Sequence, residues 1–303
     1  MPVSSSPSVA SARSSSHLEQ TLHPPESLLV SLLPADLIDE IISELILDAF
    51  RADVPALGAT CRALRGAVST RLEDAKRRRA LALALCERME PGSFERLSGG
   101  ARVIDWRGVH RQSERYAALG CAGCAELGPL LKSRVISSTL SVLWLDNNQI
   151  GSAGCRSLAE AFNSGAVPLL RNLGLHNNRC GDCGLCALAH PLRRRRLPNL
   201  EVLGLANNGI GEHGLCALIG ALGALPLLCG LYLHYNRISD GGLCQLAGAL
   251  VAGRAPKLSW LQVHNNPSEQ ALVGVNALRH AMNGRNSQHC KETGESKLRY
   301  YVL

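Results

Sequence analysis

Aromatic residues are scarce in this chain: 3 Phe, 3 Trp and 5 Tyr make up 4% of its 303 residues. No apolar run approaches the roughly 20 residues needed to span a bilayer, so no transmembrane helix and no membrane partner are expected. No lysine-led segment followed by an apolar core opens the chain, which argues against a secretory signal. A Gly-x-x-x-x-Gly-Lys loop is missing, so nothing cradles a nucleotide. No Ser-His-Asp or Cys-His pair can be assembled from the spacing. The chain is therefore expected to be non-enzymatic and to need no cofactor. Charge is thin as well, at 19% of residues; the net value of +7 is modest for this length and does not call for nucleic acid.

Apolar residues, by contrast, reach 46%, and roughly one residue in six is leucine. That excludes a wholly disordered chain. The length allows two or three domains, or one domain with appendages. Twelve cysteines without a secretory signal are expected to stay reduced. The expected location is cytoplasmic, with nuclear targeting left open.

Residues 1–30 are rich in Ser and Pro and read as a disordered tail. A transit peptide is the sharper alternative, since Arg13 and many serines precede Glu19, yet the segment has no clear amphipathic pattern. From Leu33 the pattern changes. Leu37, Ile38, Ile41, Ile42 and Leu45 recur at helical spacing among Asp36, Asp39, Glu40 and Glu44. Leu57, Cys61, Leu64 and Val68 form a second stripe. The spacing predicts a helical module over 31–70 and a helical linker over 71–100, in which one helix carries Lys76 to Arg79 and runs on through Leu85.

The strongest signal begins at residue 140. Leu140-Ser-Val-Leu143-Trp-Leu145-Asp-Asn-Asn148 returns in blocks starting at Leu170, Leu200, Leu228 and Leu258, at steps of 30, 30, 28 and 30 residues. Five matches at a near-constant period of this size mean a solenoid. Each block continues with a glycine turn and leucines four apart, as in Gly184, Leu188 and Leu192, which describes a short helix with one buried stripe. Leu-x-Leu alternation sends both leucines inward and the residues between them outward. Helices need about 8–10 Å of spacing and strands about 4.8 Å, so the stack must curve with its strands on the inside. The fold class expected is α/β: a curved solenoid, parallel strands concave and helices convex, with a small all-α N-terminal module. The ninth-position asparagines, Asn148 to Asn266, should turn inward and satisfy backbone groups where each strand ends. Asn207, one residue before such a position, is expected to point outward and to tolerate alanine. Residues 101–139 read as a degenerate first repeat with Val103 to Trp106 as its strand, residues 140–283 as regular repeats, and residues 284–303 as a C-terminal segment with a candidate capping strand over 298–303.

These blocks resemble the leucine-rich repeat family, and a unit of about 28 to 30 residues with a true helix resembles its ribonuclease-inhibitor-like subclass. Residues 33–68 resemble an F-box: Leu33-Pro34 precedes an acidic helix, and Cys61-Arg62 sits in a second one. Thr60 and Leu64 depart from that pattern, standing where valine and tryptophan are usual. The F-box resemblance implies that Leu33, Pro34, Leu37, Ile38, Ile41 and Leu57 dock on the Skp-type adaptor of a ubiquitin ligase, with the repeats holding a substrate. A plain helical cap on the solenoid is the competing reading of the same residues. A regulator similar to the Ran GTPase activators, which share the repeat subclass, is the alternative function, but no residue can be nominated to stabilise a phosphoryl-transfer transition state.

Candidate binding residues follow from the repeat frame. Asp146, His176, His234 and His264 occupy position seven, and the histidines are read as exposed recognition residues. Trp144, Tyr232, Tyr235 and Trp260 project from the same concave face, where aromatics act as interface anchors for a protein partner. Cys180, Cys183 and Cys186, and Cys121 with Cys124, have ligand-like spacing. Cys186, Cys216 and Cys244 also share one column on neighbouring helices. The repeat frame favours core packing over a metal site. Arg193 to Arg196 are placed in an exposed loop, with the helix before them ending at Pro191.

Overall fold

The computed structural model describes residues 74, 77, 79–90, 101–108, 118–132, 139–267 and 273–293, with side chains through 284. The chain divides into two units, Met1–Thr70 and Arg71–Leu303. Everything described lies in the second. Leu33, Pro34, Leu37, Ile38, Ile41 and Leu57 fall outside the described residues, as do the tail and the candidate strand at 298–303.

A helix over 79–89 (α1) is followed by a strict alternation: β1 (Val103–Asp105), α2 (Gly120–Lys132), β2 (Val142–Trp144), α3 (Ser152–Asn163), β3 (Asn172–Gly174), α4 (Gly181–Arg193), β4 (Val202–Gly204), α5 (Glu212–Leu222), β5 (Gly230–Tyr232), α6 (Asp240–Val251), β6 (Trp260–Gln262) and α7 (Val273–Thr293). The six strands form one parallel sheet in sequential order. Their register sets Ile104, Leu143, Leu173, Leu203, Leu231 and Leu261 side by side. This is the α/β solenoid with the leucine-rich-repeat arrangement, and the degenerate first repeat does supply its strand at Val103–Asp105.

The leucines of positions one, four and six all sit in a continuous core, as do Ile150, Cys180, Ile210 and Ile238 after each turn. On the helix side, Leu158, Leu188, Leu218 and Leu246 close that core. Leu85, Cys86 and Met89 of α1 are buried in the same cluster, and Arg88 ion-pairs with Glu126 on α2 at 2.7 Å. The segment read as a linker is thus, in part, a helix packed against the first repeat. At the other end, α7 runs ten residues past the 283 boundary to Thr293.

The ninth-position asparagines form the ladder that their spacing predicts. The Oδ1 of Asn208 accepts from the backbone N–H of Asn178 and of Cys180, at 3.1 and 3.2 Å. Its Nδ2 donates to the Leu175 carbonyl at 2.7 Å. Asn178 and Asn236 repeat the pattern one unit to either side. Each amide therefore joins two repeats through three backbone groups that the turn would leave unpaired.

Three expectations need correction. Helix α4 does not end at Pro191 but continues to Arg193. A proline this close to a C-terminus forfeits only one helical bond, and the turn behind it closes through N–H donation from Arg195 to the Leu192 carbonyl and from Arg196 to the Pro191 carbonyl. The column of Cys186, Cys216 and Cys244 is not core: the first two are exposed and the third half-buried, while Cys121 and Cys183 are exposed as well. Two residues separate this column from the buried Leu188 stripe, which turns it to the solvent side of each helix. Only Cys86, Cys124, Cys155 and Cys180 are buried among the described cysteines. Finally, Asn207 is not indifferent to its side chain. Its φ is 51°, in the left-handed region, and its Nδ2 donates to Asn177 Oδ1 at 2.6 Å.

Candidate functional site: the concave sheet face

Positions three, five and seven of each block project from the strand face that none of the described helices covers. The rings on this face are placed by what the neighbouring strand lacks. Position five is glycine on both β3 and β4. A Cβ on Gly174 would lie 2.3 Å from Trp144 Cε3, and one on Gly204 would lie 2.4 Å from His176 Nε2. Both rings thus lean along the sheet onto the next strand, into space that only glycine leaves. Tyr232 of β5 is the register partner of that same Gly204, and it meets the His176 ring edge to face, with centroids 5.6 Å apart.

From there the rings continue. Tyr232 and His234 lie 6.3 Å apart. His234 and His264 stack at 4.6 Å with an interplanar angle of 12°. Tyr235 stands edge-on to both, at 5.6 and 5.7 Å. The expected site residues are therefore brought into one row: Trp144 and Asp146 on β2 and the turn after it, His176 beyond β3, Tyr232, His234 and Tyr235 along and beyond β5, and His264 beyond β6. Trp260, half-buried at position three of β6, sits on the same face.

The histidines depart from the expectation of exposed recognition residues, and Asp146, expected on the concave face, is buried there. Asp146 is 7% exposed. Its Oδ1 accepts from the backbone N–H of His176 at 2.7 Å, and burial pushes its carboxyl above the usual range. The three histidines are half-buried because each ring packs against its neighbours. His176 Nδ1 accepts from the Ala206 N–H at 3.1 Å, which assigns the neutral tautomer with its proton on Nε2. Burial lowers its pKa in the same sense. His234 is lowered to about 4, by burial first and then by His264 and His176. Its Nδ1 is buried and has no hydrogen-bond partner.

Tyr235 was expected to point from the concave face, and it does so from a strained backbone. At position eight, Asn147, Asn177, Asn207 and Asn265 all take left-handed φ values, and Tyr235 takes φ 56° in the same place. Asparagine tolerates that conformation through local hydrogen bonding; a β-carbon-bearing aromatic does not. Tyr235 is nevertheless 56% exposed.

Sequence reasoning missed Arg107 and Asp105. In the register of the sheet, Asp105 pairs with Trp144 and Trp106 donates to the Trp144 carbonyl. That puts Trp106 in a buried leucine position and Arg107 in position seven. Arg107 Nε donates to Asp105 Oδ1 at 2.7 Å, and its guanidinium lies 6.0 Å from the Trp144 ring. The ion pair holds the Asp105 carboxyl below the usual range. Extending the repeat frame back from Trp106 would have found both. Charge on this face is gathered at β1 and β2. From β3 to β6 it is aromatic, and the bonds and burial above favour neutral rings for His176 and His234 at pH 7.

Among the described residues no group of three or more His, Cys, Asp or Glu side chains is placed to hold a metal ion. None of the described helices is long and apolar enough to cross a membrane. No family model matches the chain, and neither does any curated protein. Among solved structures, actin-binding site 2 of leiomodin-1 is similar at 19% identity, over 58% of this chain and 96% of that one, with a TM-score of 0.40. A likeness at that level carries no functional meaning for this chain.

Proposed function

We propose that this protein is a non-enzymatic binding scaffold, and that its concave face holds a protein segment along the row from Trp144 to His264. The observation that supports this most is the row itself: rings laid over Gly174 and Gly204 on a face that no described element covers. Tyr235, held in a conformation that favours asparagine, is strain retained where a binding anchor projects. Because the face is aromatic and nearly uncharged between β3 and β6, the segment it suits is apolar, with few ions.

The test is selection of peptides from a random displayed library against the full chain. Peptides rich in apolar residues should be recovered, and both Tyr235→Asn and Gly204→Ala should weaken them by about tenfold or more, the second by displacing the His176 ring. Binding that survives both changes sinks the concave-face reading.

The finer reading is an F-box-type substrate receptor built on ribonuclease-inhibitor-like repeats, working in the cytoplasm or nucleus. Its support is the resemblance of residues 33–68, joined by one observation. Helix α1 already covers the first repeat with Leu85, Cys86 and Met89, so residues 33–68 are not required as a cap. Purified Skp-type adaptor should then bind the full chain. Replacing Leu33 and Pro34 with alanine should weaken it by about thirtyfold, roughly 2 kcal/mol, without shifting the unfolding of the repeats. An adaptor that does not bind the wild-type chain removes this reading and leaves the scaffold standing.

A further inference from the structure

The arginine run is not explained by the concave face. Strands of the sheet are parallel, so every turn that leads from a helix into the next strand lies along one edge of the solenoid. Arg193, Arg194, Arg195 and Arg196 are all exposed there. None of the four side chains has an acidic partner among the described residues. Two nearby cations behave differently: Arg171 pairs with Glu201 at 3.2 Å, and Arg254 donates to the Ile219 carbonyl at 2.8 Å.

The backbone under the run is strained in its favour. Helix α4 closes through a paired C-terminal turn that needs a left-handed residue just past its end. The equivalent residues after α3 and α6 are Gly165 and Gly253, with φ 75° and 82°. Here the residue is Arg195, with φ 55°. A charged side chain stands where glycine is the unstrained choice, and its neighbours are charged too.

The geometry also discriminates among polyanions. Neighbouring turns over 164–169 and 223–227 carry no charged residue. Positive charge is therefore densest at this turn, with uncharged turns on both sides and Arg254 and Lys257 only on the turn after α6, a gap that poorly matches a nucleic acid backbone that needs a stripe of cations. Instead, the adjoining turn presents Leu169, 45% exposed, with Pro168 beside it. Asn199 Nδ2 ties the two turns together by donating to the Pro168 carbonyl at 2.8 Å. Nor is the run extended, as a receptor for a linear basic signal would need: Arg193 ends a helix, and the next three residues are held in its closing turn by their own N–H groups.

We propose that Arg193 to Arg196 with Leu169 form a second docking site, distinct from the concave face, for an acidic protein segment that carries an apolar residue next to its carboxylates. Guanidinium groups pair with carboxylates in bidentate fashion, and Leu169 receives the apolar side chain.

The experiment uses the full chain and a short fluorescein-labelled peptide of glutamate and aspartate ending in leucine, read by anisotropy. Wild type should bind it, and binding should weaken as salt shortens the Debye length from about 30 Å at 0.01 M to about 8 Å at 0.15 M. A variant with Arg193→Gln, Arg194→Gln, Arg195→Gly and Arg196→Gln should bind at least about tenfold more weakly. Leu169→Ser, which leaves every charge in place, should cost a few-fold and guards against a folding defect in the first variant. A single-stranded oligonucleotide of equal charge should bind more weakly than the peptide. Absence of peptide binding, equal binding by both variants, or tighter binding of the oligonucleotide each overturns the proposal. Tyr235→Asn should leave peptide binding unchanged; its loss would place the peptide on the concave face and overturn the second site alone.

Discussion

Asn208 shows how much one side chain can hold in a repeat. Its amide serves four backbone groups, three in the preceding repeat and the Ala206 carbonyl in its own, and it is 2% exposed. Asn208→Ala leaves those groups buried and unpaired, so it should lower the unfolding free energy by roughly 1–3 kcal/mol in a denaturant titration. An unchanged midpoint would refute the frame. Asn207→Ala, once expected to be neutral, should cost about 1 kcal/mol, because alanine has neither the left-handed tolerance nor the bond to Asn177. At the same scale, His234 links stability to pH. Its folded pKa of about 4 lies below the unfolded value of 6.5. Between those values the unfolded state binds more protons, so stability should fall as pH drops through that window and level off below it. His176, also lowered, acts in the same direction; the raised Asp146 carboxyl opposes both at the acid end. His264, Tyr232 and Tyr235 complete the set of rings facing His234. Melting temperatures measured at neutral pH and near pH 5 should therefore diverge less in His234→Gln than in wild type.

Helix α4 is the element whose ends carry the most information. Asp182 in its first turn accepts from the Gly211 N–H of the next unit at 2.6 Å, and Asp240 in α6 does the same for Gly274 at 2.7 Å. Acids at these N-termini thus cap the neighbouring helix as well as facing their own dipole. At its other end, Arg195 occupies the left-handed position. Arg195→Gly should raise the melting temperature, by an amount worth about 1 kcal/mol, since glycine adopts that backbone freely. A lower melting temperature would mean that the arginine makes a stabilising contact. Stability gained on removing a residue of the proposed acidic-segment site is the trade expected where function retains strain.

For the molecule as a whole, the continuous core runs from Leu85 to Met282 without a break between repeats. Such a stack draws its stability from nearest-neighbour interfaces. Protein purified without chelator should carry no stoichiometric zinc, and a strong chelator should leave its unfolding midpoint where it was. Zinc that scales with folded protein would overturn this and turn attention back to the exposed cysteines.

The period of 28 to 30 residues, the inward leucines and the inward asparagines were legible in the sequence because each is a repeated choice, and repetition makes buried positions visible without a partner. Arg107 and the packing of α1 were harder to read, since Trp106 replaces a leucine and breaks the pattern. What only the tertiary structure decided is how side chains of different repeats lie on one another. That Gly174 and Gly204 clear a path for Trp144 and His176 is invisible along the chain, because each ring and its glycine are about 30 residues apart yet on adjacent strands. Backbone handedness was equally hidden. Residues Tyr235 and Arg195 look like ordinary exposed side chains in sequence, and only the folded turn shows that each sits where asparagine or glycine would be unstrained.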